Sequence, residues 1–308
     1  MLSSALLRAS RSTRTRRIVE GVPLTRKVVD RFIAGEHTAD AVRATLDLAR
    51  SHRSVTIDFL GEDVYDAVGA HRTREAYLAL VGALVQAGAG RGTDLSLKLS
   101  ALGLSIPRDG DAIATEHAHA ICATAEGHGF TVTLDMEDHT TVDATLMVGA
   151  KLRTEFEFVG NVLQSNLRRT HGDIEQLRDS RARLRIVKGA YREPESVAHQ
   201  SKADVDSAYL RDISALMAST CYPMVATHDP GMLGHAVVAA RSSGKDDRSW
   251  ETQMLYGIRT DLQGETIDAG RQVRVYIPFG TDWYGYFMRR LAERPANVAF
   301  FLRALTSS

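Results

Sequence analysis

Two adjacent arginines, Arg289 and Arg290, lie near the end of the stretch VRVYIPFGTDWYGYFMRRL, residues 273–291. Neighbouring guanidinium groups repel each other unless an anion sits between them. Each presents a flat fork that suits two-point contact with a carboxylate. On an isolated helix such a pair is an ordinary solvated face. The residues before it change that reading. Val273, Val275 and Ile277 alternate with Arg274, Tyr276 and Pro278 as in a strand, and Pro278 and Gly280 stop it. Thr281 or Asp282 then caps a helix with Trp283, Phe287 and Leu291 on one apolar stripe, and with Tyr286 one turn before the arginines.

Comparable groups recur at the ends of other β-rich runs. Asp58 and Glu62 follow the first, Lys98 lies on the second, Asp135 and Glu137 follow the third, and Gln164 and Asn166 the fourth. Arg185 and Lys188 belong to the fifth, Thr227 and His228 to the sixth, Gln253 and Tyr256 to the seventh, and Tyr276 to the eighth. A charge inside a strand is costly unless it is paired or faces a site, and Lys98, flanked as Leu-Lys-Leu, is the sharpest case. The set reads as strongly basic, which suits an anionic ligand. Three chemistries fit these residue types. A class I aldolase needs a lysine at a strand end, and Lys98 or Lys188 could serve. A metallo-hydrolase needs converging ligands such as Asp135, Glu137, Asp138, His139 and His228. The lack of His-x-His after the first strand and the positive charge of the set oppose that. A flavoenzyme needs donors along the ring system and phosphates, which basic groups supply.

The elements that must position these groups alternate. Strands are expected at Val55–Leu60, Leu95–Leu99, Thr131–Met136, Phe156–Leu163, Leu184–Lys188, Met224–Thr227, Thr252–Leu255 and Val273–Ile277. Helices are expected at Asp63–Ala89 in two pieces, Asp111–Gly127, Thr140–Leu152, Ser165–Arg181, Ser196–Ala218, Gly231–Ser242, Arg259–Ala269 and Asp282–Leu305. This alternation predicts an α/β fold, a (β/α)8 TIM-like barrel over residues 51–308, with the site at the C-terminal ends of its strands. Residues 1–50 form a helical extension, with helical spacing on both sides of a break at Gly35.

The chain has 308 residues, enough for one such barrel of about 250 residues plus an extension. Lys+Arg and Asp+Glu are both 38, so no global charge points to nucleic acid. Cys122 and Cys221 have no zinc or redox spacing and read as buried thiols of a cytoplasmic protein. No apolar run approaches the ~20 residues of a membrane span. The first 19 residues carry Arg8, Arg11, Arg14, Arg16 and Arg17 without an acidic residue. They read as a basic helix packed on the next one, with a transit peptide or an anionic-lipid contact as the alternative. No G-x-G-x-x-G follows a strand, so a nucleotide cofactor would not be held in a Rossmann crevice.

The motifs LSLKLSALG (95–103), TLDMED (133–138), NVLQSNL (161–167), RIVKGAYRE (185–193), ATHD (226–229), QMLYGI (253–258) and VYIPFG…WYGYFMRRLAER (275–294) resemble FAD-dependent proline dehydrogenase, of the short monofunctional bacterial type. The likeness runs in the family's order from about residue 25 onwards. It implies that Arg289, Arg290 and Lys98 bind the proline carboxylate. Tyr276 would pack near the substrate ring, Leu255 and Tyr256 would form its wall, and Asp135 would orient its neighbours. For FAD, it implies Arg185 near the reactive flavin nitrogen, Gln164 and His228 on the ring system, and Met136 packed beside it. Lys188, Gly189, Ala190 and Thr227 would approach the ribityl and pyrophosphate groups. Arg185 would also form a gate with Glu62. Asp229, where many members carry Asn, and Arg192, where others carry Trp, leave the adenine end undefined.

The implied reaction is oxidation of L-proline to Δ1-pyrroline-5-carboxylate, with electrons passed to a quinone at the membrane surface. A separate pyrroline-5-carboxylate dehydrogenase would act downstream. A hydroxyproline dehydrogenase is the near alternative, against which Tyr276 argues. A Schiff-base aldolase and a non-catalytic binding barrel are the distant ones.

Overall fold

The structure, a computed structural model, describes residues 29–61 and 64–293, except for the side chains of 289–293. The basic N-terminal segment, Glu62, the chain beyond 293 and the side chains of Arg289, Arg290 and Leu291 therefore lie outside the described residues.

Helix α1 (Thr38–Arg50) precedes the repeating units. These are β1 (Ser54–Phe59) with α2 (Ala67–Gln86), β2 (Thr93–Leu97) with α3 (Gly110–Glu126), β3 (Thr131–Leu134) with α4 (Val142–Arg153), and β4 (Val159–Gln164) with α5 (Thr170–Leu177). They continue as β5 (Arg183–Val187) with α6 (Lys202–Met217), β6 (Tyr222–Ala226) with α7 (Pro230–Ser242), β7 (Glu251–Leu255) with α8 (Thr260–Asp268), and β8 (Val273–Phe279) with α9 (Trp283–Glu293). Among the described residues the strands close into one parallel barrel in chain order, with β1 paired to both β2 and β8. The expected α/β barrel is the one found.

Apolar residues on alternate strand positions face the helices. Val55, Ile57, Leu95, Leu97, Val132, Leu134, Val273, Val275 and Ile277 share a core with α1 to α4. Leu184, Ile186, Val225 and Met254 do the same against α5 to α8. A third cluster joins Val29, Phe32 and Ile33 to Trp283, Tyr286, Phe287 and Met288 of α9. Tyr286 is thus buried with the stripe it was expected to lie beside. The Arg31 carbonyl packs directly on Gly257, which has a φ of +68°; a Cβ there would stand 1.7 Å from that oxygen.

Several boundaries differ from expectation for local reasons. Helix α2 is one piece, capped by Asp66, whose carboxylate accepts from Gly69 N at 2.7 Å. Helix α5 starts at Thr170, not at 165, because Ser165 N and Asn166 N donate to Val187 O and Lys188 O. Helix α6 starts after its Ser201 cap, not at 196, since residues 197–199 bond to the β4–α5 connection. Strand β4 begins at Val159, after a turn that Val159 N closes on Phe156 O.

Candidate active site

The other face of each strand points into the barrel, and there the residues are polar. Contacts between strands that are not neighbours establish this, since only the lumen connects them. Arg185 on β5 reaches Ser96 on β2 (3.3 Å) and Gln253 on β7 (2.6 Å). Tyr276 on β8 reaches Asp135, just past β3. At the strand starts, Arg274 grips Glu251 with two bonds, at 2.6 and 3.1 Å, and donates to Val55 O and Gly92 O. Burial pushes the Glu251 carboxyl up, but Arg274 and Arg183 outweigh it and bring it down to about 2. One layer higher, Asp94 accepts from the hydroxyls of Thr56, Thr131 and Thr133 and stands 3.5 Å from Arg185 Nη2.

Above this lies the mouth of the barrel. Asp135 Oδ1 accepts from Arg185 Nη1 (2.6 Å) and Ser96 Oγ (2.7 Å), and Oδ2 accepts from the Tyr276 hydroxyl (2.6 Å). Lys98 Nζ stands 3.6 Å from Asp135 Oδ2 and donates to Asp58 Oδ1 at 2.7 Å. The Arg185 guanidinium also lies over the Tyr276 ring, 5.3 Å from its centroid. Two carboxylates flanking one ammonium are driven apart in protonation. Burial raises Asp58 and Lys98 only partly offsets it. Burial also raises Asp135, but Arg185 and Lys98, with bonds from Tyr276 and Ser96, hold its carboxyl below the ordinary carboxylate range. Burial, reinforced by Asp135 and Asp58, keeps the Tyr276 phenol protonated. The mouth therefore presents an ionised Asp135, two cations and a phenol. Lys98 and Arg185 have Asp58 and Asp135 as their acidic partners there, while the side chains of Arg289 and Arg290 lie outside the described residues.

Beside this network run the ends of β4 to β6. Gln164 Nε2 donates to Glu137 O at 2.8 Å. Gly189 has a φ of +105°, and a Cβ there would lie 2.1 Å from Asn166 Oδ1. Lys188 pairs with Asp206 of α6 at 2.5 Å, and Ala190 is exposed. His228 Nε2 accepts from Leu255 N at 2.9 Å, which leaves the proton of a neutral ring on Nδ1. Thr227 Oγ1 accepts from Asp229 N. Met136 packs with Val142, Val162, Leu167 and Ala198.

The structure thus brings together Lys98, Asp135, Arg185 and Tyr276, with Leu255 at the neighbouring end of β7. Tyr256 does not join them. Strand alternation turns it outward onto the core shared with α1, where Arg43 and Asp47 are its charged neighbours. Arg185 is held by Asp135, Gln253 and Ser96, whereas its expected gate partner, Glu62, lies outside the described residues. Glu137 is engaged by Ser100 N at 3.0 Å and by the Ser100 hydroxyl, and His139 by Glu193. The carboxylates and histidines considered as metal ligands are therefore turned to separate partners, and no group of three such side chains converges among the described residues. Asp94 and Ser96 were not singled out from the sequence. Their signal was an Asp and a Ser on the Lys98 side of a short β-run, TDLSLKL.

Residues 41–303 match the protein family described as proline dehydrogenase. The chain is 41% identical over 282 residues to a proline dehydrogenase of Deinococcus radiodurans, covering 90% of each. It is 37% identical over 281 residues to proline dehydrogenase 1 of Bacillus subtilis, covering 91% of each. This chain belongs to the proline dehydrogenase family. A solved structure of proline utilization A from Bdellovibrio bacteriovorus, inactivated by N-propargylglycine, superposes with a TM-score of 0.81 at 24% identity. The match covers 87% of this chain and 33% of that one, so this chain spans about a third of its length. At that identity the likeness concerns the fold.

Membership in the proline dehydrogenase family implies a flavin cofactor, and the residues present fit one. Asn166 Oδ1, packed against Gly189 where a Cβ would stand 2.1 Å from it, is buried without a donor among the described residues. A bound group that brings a donor, as a flavin does, answers it.

Proposed function

We propose that this chain oxidises L-proline to Δ1-pyrroline-5-carboxylate with FAD as cofactor, the first step in breaking proline down to glutamate. The reading is supported above all by the family match over residues 41–303, which includes the strand ends that meet at Lys98, Asp135, Arg185 and Tyr276. When bound, FAD supplies the acceptor for the hydride that leaves the ring CH2 next to nitrogen. Arg185, Gln164, Thr227, His228, Lys188, Gly189 and Ala190 would hold it, with Met136 packed alongside.

This chain's own groups bind and orient the substrate. Lys98, held at the mouth by Asp58, attracts the carboxylate, and Arg289 and Arg290 of α9 complete its binding. Excluding water around these cations strengthens the contact. Asp135, ionised, favours the positive charge of the bound amine and then of the C=N nitrogen that replaces it. Loss of one proton from nitrogen and one hydride from carbon balances the two-electron oxidation. The Tyr276 ring, fixed by its bond to Asp135, limits the space beside the substrate ring and favours proline over its hydroxylated analogue. Arg185 and Glu62 would act as a gate that closes over the bound substrate.

Electrons would pass on to a quinone, and a separate pyrroline-5-carboxylate dehydrogenase would take the product. No described helix is long and apolar enough to cross a membrane. A cytoplasmic protein that meets the inner face of the membrane peripherally fits this route. The same reading divides the chain into a helical extension over 1–50 and a barrel over 51–308.

The test is product mass. Incubated with FAD, a soluble quinone and L-proline, the protein should release a compound two hydrogens lighter than proline. Arg289→Met should raise KM steeply while leaving flavin content unchanged. No such product, with flavin bound, would reject proline as substrate.

A further inference from the structure

The connection from β5 to α6, residues 188–201, begins with the Lys188-Gly189-Ala190 run and is secured at its root, apex and end. At the root Asn166 N donates to Lys188 O at 2.8 Å. At the end Arg168 N donates to Val197 O (2.9 Å) and His199 N to Asn166 O (2.8 Å). The apex is secured differently. Glu193, whose side chain is 4% exposed, crosses to the β3–α4 connection and takes both donors of one residue there. Its Oε1 accepts from His139 N at 3.0 Å, and its Oε2 from the ring Nδ1 at 2.5 Å.

A carboxylate with two acceptor oxygens facing two N–H groups is fully matched. A glutamine keeps both contacts only if the His139 ring moves its proton to Nε2 and accepts at Nδ1, and it gives up the charge that strengthens them. A buried carboxylate is expensive unless its oxygens are satisfied. Backbone bonds already fasten the root and the end, so the apex clamp does more than close a loop. It fixes the distance between two connections. One carries Met136 and Glu137, and Gln164 is bonded to Glu137 O. The other carries Gly189, which packs directly against the Asn166 side chain and its unsatisfied Oδ1.

We propose that Glu193, by gripping His139, is a positioning residue for the flavin, holding the β3–α4 and β5–α6 connections at the separation the cofactor requires. This rests on the reading of the site as a flavin site. Neither Glu193 nor His139 is among the residues assigned to the cofactor's ring system or to the substrate. Its loss is therefore read in cofactor affinity, not in substrate affinity.

The test is the FAD dissociation constant, followed by flavin fluorescence on the full chain, for the wild type, Glu193→Gln, His139→Ala and the double variant. Either single change should raise it roughly tenfold, equivalent to about 1.4 kcal/mol. The double variant should be no worse than the poorer single one, because both remove the same contact. At saturating FAD the KM for proline should stay within roughly twofold of the wild type. Unchanged FAD affinity in folded variants would overturn the proposal, as would additive losses in the double variant. If Glu193→Gln does not fold, His139→Ala decides, since that ring is only half-buried and its backbone N–H remains. A wild-type chain that binds no FAD would overturn the flavin reading and the clamp's role with it. Wild-type binding with indifferent variants would reject the clamp alone.

Discussion

The Tyr276 hydroxyl on β8 and the Asp135 carboxylate beyond β3 meet across the mouth of the barrel at 2.6 Å. The opposite oxygen of that carboxylate is held by Arg185, and the Arg185 guanidinium lies over the Tyr276 ring. Phenol, anion and cation are thus one closed triangle, and moving any of them moves the other two.

Tyr276→Phe removes a bond to an ionised group while keeping the ring. Such bonds are worth about 1.5–3 kcal/mol, so kcat/KM for proline should fall roughly 10- to 100-fold. Discrimination against hydroxyproline should weaken less, because the ring still fills the space. Steady-state kinetics on both substrates check this. Unchanged kcat/KM for proline would mean that Tyr276 acts through bulk alone.

Lys98→Met leaves Asp58 and Asp135 facing each other without the ammonium between them. Truncating one partner of a buried charge pair costs on the order of 2–5 kcal/mol, and KM should rise at least about 30-fold. Flavin content, read from the absorbance ratio, should stay near that of the wild type. Loss of flavin with unchanged KM would place Lys98 on the cofactor side of the site.

Stability at low pH should depend on the far end of the barrel. The folded Glu251 carboxyl is depressed to about 2 from an ordinary value of 4.5. A depressed acid contributes stability that is fully present above its unfolded value and is lost as pH falls through the folded one. That window runs from 4.5 down to about 2, and the shift corresponds to about 3 kcal/mol. Glu251→Gln should be less stable at neutral pH, because Arg274 and Arg183 lose their anion. Its urea-unfolding stability should also vary less across that window. A variant with the wild-type acid limb would assign the effect to other carboxylates, Asp135 among them.

Much of this was legible in the residues. Alternation of β-branched runs with helical spacing gives the barrel, and each strand end could be read for its polar group. Lys98 stood out because a lysine between leucines has to be paired, and it is paired with Asp58. What stayed hidden depends on distance across the lumen. Nothing local says that Asp94 gathers three threonine hydroxyls from β1 and β3, or that Arg274 serves Glu251. Tyr256, placed in the site wall by the resemblance, lies one residue past Leu255, and that position turns it towards α1. The Glu193–His139 clamp joins residues 54 positions apart, and its spacing leaves no periodic trace.

Gly189→Ala would place a methyl group against Asn166 and force an alanine to a φ of +105°. Backbone strain of this kind costs about 1–3 kcal/mol. FAD retention through gel filtration should fall, with a smaller loss of kcat once flavin is saturating. Full retention would show that the connection adapts and that the glycine is not needed for the cofactor.

The central claim is most directly tested by the visible spectrum of the purified protein with FAD, recorded without oxygen before and after addition of L-proline. A flavin spectrum that bleaches on addition is the predicted result, establishing cofactor, substrate and direction of electron flow together. A flavin spectrum indifferent to proline would contradict the account.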